Sequence, residues 1–286
     1  MVAFTTSDSK PAYFGGTSWQ DGVKRFHASG FFLNNGSWKS LDPLKDPIAY
    51  AAVAAKNGMT YATGGTDGIG LRPGTLVFNT SPKIVSSNTF RSQYRVYAGA
   101  AWLGTAFYVV GGSTELSPLN PTASVSKFEA GRWSDVSQLP EGALINPAVA
   151  TWKTEILVFG GGLPTDNGLE NTSSVYAFEP AENAWTKRQS LPAPTRGTVA
   201  LALPSHGILV AGGYIEEGVF SPDLLLFDPD LNTLEKLAQL PASLMLPALV
   251  SDGKWLYLFG GEDAPRRRSN RAFRAFLPNL MKLRSN

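Results

Sequence analysis

Tyr13-Phe14-Gly15-Gly16 closes a short apolar run, and the same device returns five times: Ala62-Thr63-Gly64-Gly65, Val109-Val110-Gly111-Gly112, Val158-Phe159-Gly160-Gly161, Val210-Ala211-Gly212-Gly213 and Leu258-Phe259-Gly260-Gly261. The second glycines stand about 47 to 52 residues apart, so the 286-residue chain is a series of repeats. Glycine suits the end of a buried strand, because the missing Cβ permits positive φ and the close approach of a neighbouring backbone. A single Gly-Gly would say little. Six in register decide the architecture.

Working outward from each pair, a tryptophan or an aliphatic residue follows about 21 to 24 positions later, at Trp38, Trp133, Trp185 and Leu234, and marks the outer strand of a four-stranded unit. Ahead of the pairs lie further apolar runs, at residues 48–55, 147–152, 199–203 and 246–250, followed by turns such as Lys56-Asn57-Gly58 or Ser251-Asp252-Gly253-Lys254. These supply an innermost strand and its hairpin turn. A period near 50 with this layout is the signature of kelch-type propeller blades. The expectation is an all-β, six-bladed kelch-type β-propeller forming a single domain over 1–286, with blades at about 1–42, 43–92, 93–140, 141–192, 193–241 and 242–286. No apolar segment of useful length has a 3.6-residue period, so helix should be nearly absent.

The two ends show how the ring is cut. Residues 2–16 repeat the layout of residues 249–261, so the first blade supplies its own inner strand. In the last blade residues 271–277 read as a third strand and residues 279–284 as a short fourth. No strand is offered for sharing between first and last blades, and closure is expected through side-chain packing.

A formal net charge of +2 with 17% charged residues lacks the basic footprint of a nucleic-acid binder. One local cluster stands out: Arg266-Arg267-Arg268 with Arg271 and Arg274. No segment has the apolar length of a transmembrane helix, and no membrane insertion is expected. Residues 1–10 lack a charged stretch followed by an apolar one, which points to the cytoplasm, or to the periplasm if a leader has been removed. The chain has no cysteine and two histidines, His27 and His206. That excludes disulfides and the Cys-linked tyrosine copper centre of the galactose oxidase type, and argues against a His-rich metal site or a Ser-His-Asp hydrolase. No metal or cofactor is expected.

What remains is polar chemistry on the loops after the glycine pairs, which a propeller gathers at one end of its central channel. The sixth reads Gly261-Glu262-Asp263-Ala264-Pro265-Arg266-Arg267-Arg268-Ser269-Asn270. A carboxylate directly after a buried strand, with an arginine returning six residues later, suits an acid or base beside an anion clamp. A surface salt-bridge loop has the same spacing.

From Phe14 onward the first two blades read Gly15-Gly16-Thr17-Ser18-Trp19-Gln20-Asp21-Gly22-Val23-Lys24-Arg25-Phe26, then Asn35-Gly36-Ser37-Trp38, Pro47-Ile48-Ala49-Tyr50 and Gly64-Gly65-Thr66-Asp67-Gly68. This opening resembles the cyclically permuted mutarotases, relatives of the bacterial N-acetylneuraminate epimerases. The resemblance implies that blade six should carry a Gly-Glu followed by a catalytic arginine, and Glu262 and Arg268 occupy those places. It also implies an isomerase that interconverts the anomers of N-acetylneuraminate or a related sugar acid, without a cofactor. Glu262 would shuttle a proton between the anomeric hydroxyl and the ring oxygen. Arg268 would clamp the substrate carboxylate.

Four further residues are substrate-binding candidates, each with a plain alternative. Lys24 and Arg25 can neutralise the substrate or decorate a long loop. Tyr50 can line the channel or pack between blades, and Arg196 can bind ligand or brace neighbouring loops. Asp67, Glu115 and Glu216, on other loops after glycine pairs, are read as solvated. Ile48 stands where an arginine often precedes the Ala-Tyr pair, and the blade-five loops are short, so a related sugar acid or another sugar stays open.

Two other functions compete. One is a non-catalytic kelch propeller that presents its loops to a protein partner. The other is a carbohydrate binder that stacks sugars on Trp19, Phe26 and Tyr214. Fold alone does not choose among them.

Overall fold

The computed structural model describes residues 1–286 apart from residues 7, 80–83, 92 and 286. Strand accounts for 59% of it and helix for 3%, in a six-bladed ring. Five blades are four-stranded meanders. From the channel outward, blade one runs Val2–Thr5, Pro11–Phe14, Gly30–Asn34 and Ser37–Leu41, and blade two Ala52–Lys56, Met59–Thr63, Gly74–Asn79 and Ile84–Arg91. Blade three uses Gly99–Leu103, Ala106–Val110, Ser124–Glu129 and Arg132–Gln138, and blade four Ala148–Trp152, Glu155–Thr165, Gly168–Glu179 and Ala184–Lys187. Blade five uses Val199–Leu203, Gly207–Ala211, Asp223–Asp228 and Thr233–Gln239.

Burial follows position in the blade. The second strands Ala106–Val110 and Gly207–Ala211 are buried throughout, because both faces of the blade meet a neighbour, and their sequences are continuous apolar runs. Outer strands such as Arg132–Gln138 mix exposed and half-buried residues. On those strands Trp38, Trp133 and Trp185 turn inward between blades. Trp133 donates Nε1–H to the Arg91 carbonyl of blade two at 2.6 Å, and Trp185 donates to Ser137 Oγ of blade three at 2.9 Å while stacking on Phe178.

The glycine pairs turn out to be the joints between blades. The N–H of the second glycine donates to a carbonyl in the segment leading into the next blade: Gly16 to Ile48, Gly65 to Arg95, Gly112 to Leu144, Gly161 to Thr195 and Gly213 to Leu244, all at 2.8 Å. At Gly212, with φ +66°, an added Cβ would stand 2.3 Å from the Leu244 oxygen. No side chain fits there. A second belt of backbone bonds circles the channel mouth, from Tyr97 N–H to Tyr50, Asn146 to Tyr97, Gly197 to Asn146 and Leu246 to Gly197. The belt holds Tyr50, Tyr97, Asn146 and Leu246 at positive φ, a conformation that ring geometry rather than residue type imposes.

Blade six departs from the expected four strands. Ala248–Ser251, Trp255–Phe259 and Ala272–Phe276 form a three-stranded sheet, and the residues read as a fourth strand are instead a helix, Leu277–Met281, and a 3-10 turn, Lys282–Ser285. Pro278 explains the difference: it has no N–H to give a sheet ladder but fits the first turn of a helix. Leu277 and Leu280, one turn apart, bury themselves with Leu224, Leu226 and Leu237 of blade five. The ring closes by packing: Tyr13 and Trp38 of blade one lie 5.8 and 5.3 Å from the Phe259 ring, and Thr5 Oγ1 donates to the Ser251 carbonyl. No helix among the described residues is long and apolar enough to cross a membrane.

Candidate binding site at the channel mouth

After each glycine pair the chain continues into a short excursion at the mouth of the channel, and the repeat makes equivalent positions comparable across blades. The residue following the pair is Thr17, Thr66, Ser113, Gly162, Tyr214 or Glu262, and the cross-strand partner opposite is Phe26, Leu71, Pro121, Asn171, Phe220 or Arg268. Five blades place neutral residues at both positions. Blade six alone places a carboxylate opposite a guanidinium. The fold does not require that pair.

The pair is closed on itself and on blades one and two. Glu262 Oε2 accepts from Arg268 Nη1, while Glu262 Oε1 accepts the Arg266 backbone N–H at 2.8 Å. Arg268 Nε donates to Thr17 Oγ1 at 3.0 Å, and its Nη2 approaches the Tyr50 hydroxyl at 3.4 Å. Both side chains keep about one-fifth of their surface, 22% for Glu262 and 21% for Arg268. The Tyr50 ring lies 4.6 Å from Tyr97, whose phenol is pushed well up by burial, with a further rise from Tyr50 and an opposing pull from Arg268. Tyr97 therefore stays protonated at neutral pH. Ser18 Oγ and His27 Nε2 are 2.8 Å apart on the same wall. Below this polar rim opens a channel of about 1280 Å³, walled by small apolar residues including Ala54, Ala101, Ala150 and Ala200.

The structure separates the residues picked out from sequence. Glu262, Arg268 and Tyr50 line the channel. Lys24 stands on the rim, with Nζ 5.1 Å from the Trp19 ring and 5.6 Å from Tyr50. Strand alternation turns Lys24 and Phe26 toward Tyr50 and leaves Arg25 exposed on the other side, so Arg25 does not join the others. Arg196 lies off the channel wall. Its guanidinium covers the Tyr214 ring at 4.1 Å and donates to Asn171 Oδ1 at 2.6 Å, and burial lowers its pKa. These contacts tie Arg196 to the neighbouring loops of blades four and five.

The three rings considered as sugar platforms are occupied in part. Lys24 and Arg266 lie over Trp19, at 5.1 and 5.6 Å, Arg196 covers Tyr214, and Phe26 is set edge-on to Tyr50. Asp67 accepts from the Ile69 and Gly70 N–H groups and shapes its own loop, while Glu115 and Glu216 are exposed. Sequence reading passed over Thr17, His27 and Tyr97. The period held a signal for two of them: Thr17 follows a glycine pair as Glu262 does, and Tyr97 is Tyr50 one repeat later.

No family model matches the chain. Kelch-like protein 25 of Xenopus tropicalis is 27% identical over 92% of this chain and 46% of its own length, and the human protein of that name is 29% identical over the same shares. Alpha-scruin of Limulus polyphemus is 22% identical over 87% of this chain and 29% of its own length. The chain thus spans about half the length of the kelch-like relatives it matches. With six repeats, six blades and kelch-like relatives along nearly its whole length, it is a kelch-repeat propeller. The resemblance to mutarotases finds no support among these relatives.

Proposed function

We propose that this propeller acts by binding a protein partner on the channel-end face, as a non-catalytic kelch module. The observation that carries the reading is the saturation of the residues best suited to catalysis. Both oxygens of Glu262 are taken within its own hairpin, and Arg268 points its donors at Glu262, Thr17 and Tyr50. A clamp whose donors face protein groups ties blades six, one and two together. The kelch-like relatives support the same reading. It is tested by capturing partners from lysate on wild-type protein and on two charge reversals, Lys24→Glu with Arg266→Glu on this face and Lys254→Glu at the opposite end. A partner identified by mass spectrometry should be lost with the first variant and kept with the second. Loss with neither variant contradicts the placement.

A second reading, sugar-acid anomerisation, is favoured by one specific observation: a carboxylate, a guanidinium and the Tyr50 hydroxyl meet at the mouth of a concave channel. If a sugar acid displaced Glu262 from Arg268, the guanidinium would take the substrate carboxylate. Glu262 would then accept the anomeric hydroxyl proton and return it to the ring oxygen as the ring opens, with the transfers reversed on reclosure. Acceleration of N-acetylneuraminate anomer exchange that Glu262→Gln abolishes is the result that would establish it.

A further inference from the structure

The backbone belt at the channel mouth carries side chains that the belt itself does not need. Tyr50, Tyr97, Asn146, Gly197 and Leu246 take equivalent places in it, one at each blade junction, with φ between +51° and +64°. Gly197 forms the same backbone bonds with no side chain, and glycine takes this conformation without strain. A tyrosine does not. Unfavourable backbone kept at the opening of a cavity points to a task for the side chain it carries.

Protein contacts account for two of these side chains. The Tyr50 hydroxyl meets Thr17 and Arg268, and Leu246 lies against Gly197. Tyr97 and Asn146 differ. Both line the channel, and among the described residues neither the Tyr97 hydroxyl nor the Asn146 side-chain amide has a hydrogen-bond partner in the protein. They are half-buried neighbours, because the Asn146 N–H donates to the Tyr97 carbonyl at 2.8 Å and sets the two residues side by side on one arc of the mouth. Burial keeps Tyr97 protonated at neutral pH, so its hydroxyl is a donor. Asn146 offers a carbonyl acceptor and an NH₂ donor.

The surroundings define what such a pair can hold. Beside it stand the Tyr50 and Tyr97 rings, with centroids 4.6 Å apart, and beneath it the alanine-walled channel. Among the carboxylate and guanidinium groups in the lining, Glu262 and Arg268 pair with each other and Arg271 pairs with Asp263. Charge is spent here; neutral hydrogen-bonding capacity is not.

We infer that this arc binds a small, neutral, flat molecule with an amide edge, a lactam or an aromatic carboxamide, held inside the channel mouth and apart from any protein docked on the loops. The ligand carbonyl accepts from the Tyr97 hydroxyl and from Asn146 Nδ2, using its two lone pairs, while the ligand N–H donates to Asn146 Oδ1. Its ring lies against the tyrosine faces and the apolar wall. A carboxylate has no N–H for Asn146 Oδ1 and finds the guanidinium groups of the lining already paired.

The test is titration of the protein at neutral pH with benzamide, uracil, benzoate and benzyl alcohol, read by saturation-transfer NMR and calorimetry. Benzamide and uracil should bind at least about tenfold more tightly than the other two, roughly the factor that one hydrogen bond supplies. Tyr97→Phe should weaken both amides about tenfold at an unchanged melting temperature, because the hydroxyl it removes bonds nothing in the protein. Asn146→Gly, which suits φ +52°, should weaken them by at least as much, and Asn146→Asp, which keeps an acceptor but loses the donor, should weaken them too. Benzoate or benzyl alcohol bound as tightly as benzamide overturns the amide assignment. Amide binding that neither Tyr97→Phe nor Asn146→Gly alters, or dissociation constants above about 10 mM for both amides, overturns the inference. The partner capture with Lys24→Glu and Arg266→Glu judges the protein-binding role separately.

Discussion

Arg268 faces Glu262 across the register of the blade-six hairpin, and the same guanidinium crosses the closure of the ring to reach Thr17 of blade one. One side chain thus joins the two ends of the fold. It does so at a position where the other blades carry phenylalanine, leucine, proline or asparagine.

This relationship predicts unequal losses. In urea unfolding, Glu262→Gln should cost about 1 kcal/mol or less, because a pair with one-fifth of its surface in water is screened. Arg268→Ala should cost about 1 kcal/mol more, since the bonds to Thr17 and Tyr50 go with it. A double-mutant cycle should give a coupling below about 1 kcal/mol. A loss at Glu262 equal to or larger than the loss at Arg268 would show that Arg268 does not act as the strut.

The glycine joints predict a contrast between two alanine substitutions. Gly212→Ala puts a Cβ 2.3 Å from the Leu244 oxygen at φ +66° and should destabilise by more than about 2 kcal/mol. Gly22→Ala, at φ +74° on a loop with nothing within 4 Å, should cost only the left-handed penalty of about 1 kcal/mol. Equal midpoints for the two variants would contradict the role given to the pairs.

The repeat made most of this architecture legible. A glycine pair and an inner hairpin turn perform the same mechanical task in every blade, and an outer tryptophan does so in three, so the repeat reported the same sheet again and again. Residues outside the period were harder to read. The strand expected at the end of blade six failed at Pro278, where a helix buried Leu277 and Leu280 on blade five, a contact no local pattern announces. At the mouth, spacing brought Glu262 and Arg268 together in the reading, but could not say that each would be the other's partner. Strand alternation and the Tyr214 ring place Arg25 and Arg196 away from the channel lining, both matters of direction rather than residue type.

Trp185 measures the packing between blades three and four. It stacks at 4.8 Å on Phe178 and bonds Ser137. Trp185→Ala should lower stability by about 3 kcal/mol, and Trp185→Phe by about 1 kcal/mol through the lost hydrogen bond. A near-neutral alanine would place the ring outside the interface.

Acid should weaken the ring through named aspartates. Burial pushes Asp263 upward, but bonds from Arg267 and Arg271 outweigh it and hold the carboxyl below its usual 3.8; at Asp228 the Leu231 and Asp230 N–H groups and Arg284 likewise outweigh burial. A group with a depressed folded pKa contributes stability above its unfolded value and loses it as pH falls through the folded value. The melting temperature should therefore be level above about pH 5 and fall below about pH 4. Asp263→Asn should reduce that fall. An unchanged acid limb in the variant would remove Asp263 from the account.

The central claim, that the channel mouth binds rather than turns over a substrate, meets its most direct test in proton NMR of N-acetylneuraminate anomer exchange, recorded with and without protein at neutral pH. The account predicts exchange at the uncatalysed rate, the same for wild type and Glu262→Gln. Exchange accelerated about a hundredfold by wild type and returned to background by Glu262→Gln, the size of effect expected of a positioned acid-base group, would contradict it.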